Sequence, residues 1–353
     1  MKIQNPAAEE LGMLDKLISG VFMPKTPDES MAKWFNVLLG EDNQEHINCV
    51  YKDERPVASV NWYSSSIKCE DAVITVGSIG AVCCDENERR KGYADTLLKQ
   101  SFEQMKNEGI ALCFISGRME IYFKNNAFIT GKEYQFCFSE KEKSEKVIFV
   151  PSDEMYKYAN VVYKFHSIKE NRFIRSFEHT KKLLKGFGSS HHRKVCELYY
   201  TDSAYVIIEA YKGDEYETDT FNIVEYGGEN VVEILKHICF VTGKKLTGKI
   251  EYFDKAMLGE IKVKDECNLN GTLKIINPEI LFNQLKFTFA RAGIKEITIM
   301  EKDENYVITV DKEKYSFDFE GLHTLIFEGK NAPECMKNVF PLHMPIIDGL
   351  DII

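Results

Sequence analysis

Arg89-Arg90-Lys91-Gly92-Tyr93-Ala94-Asp95 sets three cations and a glycine at the start of a helical pattern. Just ahead, Val76 to Cys84 is an apolar run that reads as a strand. A strand, a polar turn and a helix start together form an anion-binding device. The first helical N–H groups lack partners, and the helix dipole is positive at that end. Gly92 lets the backbone come close to a ligand because it has no Cβ. The cations gather here although the chain is acidic, with 45 Lys and Arg against 55 Asp and Glu. A phosphate-bearing ligand suits these residues.

Other reactive residues carry less. His191-His192 would point to opposite faces of a strand, and no Cys or carboxylate stands at ligand spacing, so a solvated loop is expected and no metal. The ten cysteines are scattered without a CxxC. Cys83-Cys84 lie inside the apolar strand and read as buried, reduced thiols, which fits a reducing compartment. His343 stands alone between two prolines near the tail.

The elements around the cation-rich turn follow from periodicity. Ala8 to Phe22 is helical, and Asp28 or Ser30 caps a second helix carrying Met31, Trp34, Phe35, Leu38 and Leu39. His46 to Tyr51, Pro56 to Ser64 and Ala72 to Cys84 read as strands joined by short loops, hence antiparallel. Tyr93 to Asn107 is a helix, Ile110 to Ile115 a short buried strand, and Tyr134 to Phe138 a strand that closes this part. From Pro151 the order α-α-β-β-β-α returns: helices at Glu154–Phe165 and Arg172–Lys185, strands at Cys196–Tyr200, Tyr205–Lys212 and Thr220–Tyr226, and a helix at Val231–Thr242. The turn of this second part, Tyr226-Gly227-Gly228-Glu229-Asn230, has glycines but no cation. Residues 271–353 change character. Gly271 to Pro278 is a strand running into a helix start with Leu281, Leu285 and Phe289 on its apolar face, and three strands follow between Ile294 and Phe319. The tail from Phe340 to Ile353 is apolar and should be docked.

At 353 residues the chain allows two or three domains. A net charge of −10 argues against a nucleic-acid partner. No apolar run is long enough for a membrane span and no signal-peptide core is present, so a cytoplasmic location is expected.

Three phosphate-site patterns compete. GxxxxGK[ST] is missing, and the glycines do not fit GxGxxG after the first strand of a βαβ unit. The third is [RQ]xxGx[GA], the acyl-coenzyme-A site of the GNAT N-acetyltransferases, and Arg89, Gly92 and Ala94 match it. The first part therefore resembles a GNAT domain. GNAT chains often carry a tyrosine on a short helix after the next strand, followed by a turn glycine. Tyr122 takes that position if Asn126 replaces the glycine, and Phe123 takes it in the other register. A helix aromatic packed on the sheet is the plain structural alternative for Tyr122.

The whole chain resembles the enhanced intracellular survival branch of that superfamily. The resemblance implies an α/β (α+β) architecture of tandem GNAT folds plus a sterol-carrier-protein-like C-terminal domain. The parts would be a catalytic domain at 1–148, a degenerate second copy at 149–265 and the last module at 266–353. It further implies an acetyl-CoA-dependent N-acetyltransferase acting on a primary amine, a small molecule or peptide with a polycation among the candidates, and closed homo-oligomers in the family. Arg89, Arg90, Lys91, Gly92, Tyr93, Ala94 and Asp95 would wrap the pyrophosphate. Val82, Cys83 and Cys84 would pair with the pantetheine. Tyr122 would protonate the departing thiolate, and the carboxylate of Ile353, with Asp351 as the alternative, would serve as base. A non-catalytic acyl-CoA-binding or regulatory protein is the rival reading.

Overall fold

The computed structural model describes residues 2–26, 28–189, 194–211, 218–251, 254–303, 305–346 and 349–351. His191, His192 and Ile353 lie outside them. In chain order the structure opens with β1 (Lys2–Gln4), α1 (Leu11–Phe22), α2 (Met31–Trp34), β2 (Ile47–Lys52), β3 (Arg55–Cys69) and β4 (Ala72–Cys84). Then come α3 (Tyr93–Asn107), β5 (Leu112–Ile115), α4 (Glu120–Phe123), β6 (Glu133–Phe138) and β7 (Ile148–Val150). A second series follows: α5 (Ala159–Ser167), β8 (Arg172–Phe173), α6 (Phe177–Phe187), β9 (Lys194–Tyr200), β10 (Ala204–Tyr211), β11 (Thr220–Gly228), α7 (Val231–Thr242) and β12 (Lys245–Glu251). The rest comprises α8 (Lys255–Glu260), β13 (Val263–Cys267), β14 (Thr272–Ile275), α9 (Pro278–Gln284), α10 (Lys286–Arg291), β15 (Ile297–Lys302), β16 (Asn305–Val310), β17 (Glu313–Phe317) and α11 (Phe319–Glu328).

Two large sheets share one plan. The first runs β1-β2-β3-β4-β5-β14, with β8 added on β3. β2, β3 and β4 are antiparallel, as their short connections dictate, and the α3 crossover makes β5 parallel to β4. The second runs β13-β6-β12-β11-β10-β9-β7, and the α7 crossover makes β12 parallel to β11. Each sheet then receives an antiparallel strand from elsewhere in the chain: β14 beside β5, and β6 beside β12.

This exchange corrects one expectation. Tyr134 to Phe138 does not close the first part; it pairs with β12 and β13 of the second sheet. Its place beside β5 goes to β14, whose Leu273 and Ile275 bury in the same apolar cluster as Leu112 and Phe114. Pattern in sequence is local, whereas the choice of strand partner depends on which apolar face is left uncovered.

α3 covers one face of the first sheet, packing Leu97, Leu98, Phe102 and Met105 on Val60 and Trp62. α1 and α2 cover the other, around Ile47, Cys49 and Cys83. On the second sheet α7 takes one face and α5 with α6 the other. Trp34 of α2 belongs to the α5/α6 cluster, so the two units meet through α2 and α6. The approach is close. A Cβ at Gly186 would stand 2.3 Å from the Trp34 carbonyl oxygen.

Three helices differ from their periodicity. Arg172 to Lys185 is not one helix: residues 172–173 pair with β3, and α6 begins after Ser176, whose Oγ accepts from the His179 N–H at 3.0 Å. The second helix ends at Trp34 instead of reaching Leu39. The Leu281–Leu285–Phe289 stripe is shared by α9 and α10. The three-stranded sheet β15-β16-β17 packs with α9, α10 and α11 into a cluster that also takes in Ile74 and Val76 of β4. The tail is docked, with Leu342, Met344 and Leu350 buried.

Candidate functional site

β4 and β5 stay paired only from Val76–Ile79 to Leu112–Ile115. Beyond Ile79 the two strands part, and residues 80–84 present an edge without a β5 partner. A bulge sits at the parting point: Asn61 faces Gly80 and Ser59 faces Cys83, and Ala81 has φ of 50°. The buried amide of Asn61 props this bulge, donating to the carbonyls of Ala81 (3.0 Å) and Gly80 (3.4 Å). Val82 and Cys84 pack toward α3 with Tyr93, and Cys83 toward α1. Cys83 is buried, and burial pushes its thiol up to about 11. Cys84 is only half-buried, which corrects the expectation of two buried thiols.

The turn then leads into α3. Arg89 is extended and its Nε donates to the Cys84 carbonyl at 3.4 Å. Arg90 takes a left-handed φ of 64°. Gly92, at φ 79°, is the N-cap of α3, and a Cβ there would meet nothing within 4 Å. The glycine is therefore required by backbone conformation while the space above it stays open. No side chain caps this helix start, so its first N–H groups are unclaimed within the described residues. Lys91 pairs with Glu88 at 2.6 Å, and Lys52 holds the same carboxylate at 2.7 Å. These two cations hold the Glu88 carboxyl down to about 2. Arg89 and Arg90 are exposed and have no carboxylate partner among the described residues. The Asp95 carboxylate is occupied by Lys99 (2.7 Å) and Asn125 (2.9 Å).

Tyr122 of α4 is buried against this cluster, whereas Phe123 is exposed. Gly117 makes room for its ring: an added Cβ would stand 2.8 Å from Tyr122 Cε2. Burial, and secondarily Cys113, push the phenol up to about 12, and its hydroxyl has no hydrogen-bond partner among the described residues. Asn126 has φ of 56°, the conformation a turn glycine would supply. The segment is fixed from both sides. Asn125 donates to Asp95 and to the Ile121 carbonyl, and Lys274 of β14 donates to the Asn125 carbonyl at 2.8 Å.

Sequence reasoning missed Asn61, Asn125 and Lys274. Asn61 alone left a signal, as a polar residue inside the apolar run Val60-Asn61-Trp62. Lys274 had none, because it reaches Asn125 from 149 residues away in the chain.

The second unit repeats the wedge. β11 and β12 pair only over Thr220–Asn222, and a register shift between Ile207 and Ile208 opposes Ile223 and Glu225. The tail fills this place. Gly349 packs on Val224 and Glu225, and the Leu350 N–H donates to Glu225 Oε2 at 3.3 Å. Arg175, 1% exposed at its side chain, binds Glu225 and both carboxylate oxygens of Asp351. A cavity of about 770 Å³ lies alongside, with Trp34, Phe35, Arg172, Phe173, Glu225 and Asp351 in its wall. It includes no residue of the β4–α3 turn or of α4. His343 lies elsewhere, with Nδ1 3.0 Å from Glu70.

Comparison with known proteins accords with the first unit's geometry. Residues 2–126 match the family model of the acetyltransferase (GNAT) domain. No curated protein sequence matches the chain. Among solved structures, Eis1 from Mycobacterium abscessus is similar at a TM-score of 0.64 and 8% identity, over 98% of this chain and 97% of that one. A GCN5-related N-acetyltransferase from Anabaena variabilis gives 0.61 and 12%, over 98% and 94%. A conserved protein from Enterococcus faecalis, described as a probable N-acyltransferase, gives 0.59 and 13%, over 90% and 84%. At such identities the likeness is one of fold. Residues 2–126 thus form a GNAT acetyltransferase domain, and by that domain the protein is an acyltransferase enzyme. Among the described residues no helix is long and apolar enough to cross a membrane, and no cluster of three or more His, Cys, Asp or Glu is placed to hold a metal.

Proposed function

We propose that the protein transfers an acetyl group from acetyl-CoA to a primary amine at the β4–α3 junction. One observation carries this reading. Among the described residues, the part of β4 without a β5 partner runs into an uncapped helix start with two arginines that lack a carboxylate partner, and a buried tyrosine without a hydrogen-bond partner packs against the same cluster. The fit is supported by Gly92, whose missing side chain leaves open space over the helix start. Backbone N–H groups from Arg90 to Asp95 hold the pyrophosphate, with Arg89 and Arg90 adding charge. The edge at Val82, Cys83 and Cys84 pairs with the pantetheine amides. A bound acetyl thioester supplies the electrophilic carbonyl. An N–H on the β4 edge stabilises negative charge developing on that carbonyl's oxygen. Tyr122 gives its proton to the departing thiolate, and with burial raising the phenol to about 12 that transfer to a thiol near 8.5 is uphill.

The shared plan of the two sheets supports a tandem origin, with a second copy that lost its cations and filled its wedge with the tail. The module from α9 to α11 is proposed as the sterol-carrier-like part. Of the two carboxylates expected as base, Ile353 lies outside the described residues and Asp351 is committed to Arg175.

A thiol-release assay with acetyl-CoA and a panel of polyamines, aminoglycosides and lysine peptides tests the reading. Turnover on at least one amine is expected, with kcat about 10²-fold lower in Tyr122→Phe at unchanged cofactor affinity. Acetyl-CoA binding with no turnover on any amine would support the rival, a non-catalytic acyl-CoA-binding protein.

A further inference from the structure

An alkyl ammonium must lose a proton before it attacks, because its reference pKa is near 10.4. On the acetyltransferase reading above, a cofactor held over the start of α3 leaves the sheet face of α1 and α2 to the amine. Tyr63 stands on that face. It is half-buried against the α1/α2 cluster and the α5/α6 cluster, whereas its neighbour Trp62 packs with α3. Tyr63 is two residues along β3 from Asn61, the residue that props the β4 bulge, which places it about 7 Å along the strand.

The hydroxyl of Tyr63 lies 3.4 Å from Nδ1 of His179, and the two rings meet edge to face at 5.4 Å between centroids. His179 sits in the first turn of α6, so a residue of the second unit reaches the acceptor face of the first. Resting on the acetyltransferase reading above, we infer that Tyr63 and His179 are the proton-accepting pair for the incoming amine. The ammonium gives its proton to the Tyr63 oxygen as the hydroxyl proton passes to Nδ1 of His179. The products are a neutral amine, an intact tyrosine and one imidazolium. No other reactant is needed.

The surroundings fit a base that starts neutral. Burial lowers the His179 pKa from its usual value, so the imidazole is uncharged at neutral pH with Nδ1 free to accept. The charged and titratable groups facing it come from each packed element: Asp351 from the tail, Arg175 before α6, Lys182 on α6, His166 on α5 and Tyr63 on β3. Asp351 stabilises the imidazolium that forms, while Arg175, Lys182 and His166 oppose it. Burial, and after it Asp351 and Asp42, disfavour a lasting phenolate at Tyr63, which keeps it a conduit instead of the proton's resting place.

The test uses the full-length enzyme with the best amine found in the panel. His179→Gln is expected to lower kcat/KM about 10²-fold at pH 7, to approach the wild-type rate near pH 10, and to leave acetyl-CoA affinity unchanged. A fluorinated amine that is already unprotonated at pH 7 should react equally with both enzymes. Tyr63→Phe should show the same pattern. As a readout apart from activity, imidazole ¹⁵N NMR should show His179 protonated on Nε2 at pH 7, with its Nδ1 resonance shifted by Tyr63→Phe. An equal loss at every pH and with both amines, or no loss, would overturn the pair while leaving the acetyltransferase intact. A wild-type enzyme that acetylates no amine would overturn both.

Discussion

α3 and α7 begin in the same way and end up facing different things. Both follow a bulged strand that has parted from its parallel neighbour, and both start on a left-handed N-cap, Gly92 at φ 79° and Asn230 at φ 59°. At α3 the turn carries exposed Arg89 and Arg90, and the bulge is held from within the sheet by Asn61. At α7 the turn carries Glu229, and the bulge is held by the chain's own tail through Gly349, Leu350 and the Arg175–Asp351 pair. Backbone geometry is therefore shared, and chemistry is not. A wedge between parted strands is a structural opportunity that one unit leaves open and the other closes with protein.

Closing the second wedge should matter chiefly for stability. Leu350 is fully buried among Tyr205, Ile207 and Val162. Leu350→Ala is expected to destabilise the protein by about 2–5 kcal/mol in urea unfolding, with unchanged acetyl-CoA affinity. A matching loss of cofactor affinity would show that the two wedges are coupled and would break the comparison.

The two outside strands sharpen it next. β6 pairs its Glu133 with Lys249 of the second sheet. β14 instead depends on a histidine: Nε2 of His323 accepts from the Ile275 N–H at 3.3 Å, and its Nδ1 donates to the Phe319 carbonyl at 2.8 Å. Both bonds require the neutral ring, and burial lowers the His323 pKa to about 4. A folded value below the unfolded one means stability is complete above pH 6.5 and is lost as pH falls through 4. The loss over that window is about 3 kcal/mol at 1.36 per pKa unit. Denaturant titrations from pH 7 to 4 should show it, and His323→Gln should flatten that slope.

The legible part of the molecule was the part written in local pattern. Arg89, Gly92 and Ala94 sit at fixed spacing after an apolar strand, and Tyr122 follows the next strand, so the first unit's elements could be placed from sequence. Strand exchange left no such mark. Nothing in Glu133–Phe138 or Thr272–Ile275 says which sheet it joins, because both alternate acceptably and partners are chosen by uncovered apolar faces. The bulge at Ala81 was hidden too, since its prop, Asn61, is on a neighbouring strand. The pattern runs a strand from Lys314 to Phe319 and gives no helix over Phe319–Glu328, because the helix starts on the aromatic that ends that run.

The smallest expected effect separates conformation from chemistry at the two helix starts. A β-branched residue at φ 79° is strained by about 1–3 kcal/mol, and at Gly92 it would also place a side chain in the open space over the N–H groups. Gly92→Val should weaken acetyl-CoA binding about 10- to 100-fold by calorimetry, while the backbone strain lowers the melting temperature by only a few degrees. Asn230→Gly keeps the left-handed start of α7 and removes a side chain that makes no cap bond. It should leave stability within a few tenths of a kcal/mol, as glycine substitutes well at such a position. It should also leave the stoichiometry at one cofactor per chain. A second equivalent bound in Asn230→Gly would mean that the α7 junction lacks only clearance, not cations and an open wedge, and the contrast between the two units would then rest on one side chain.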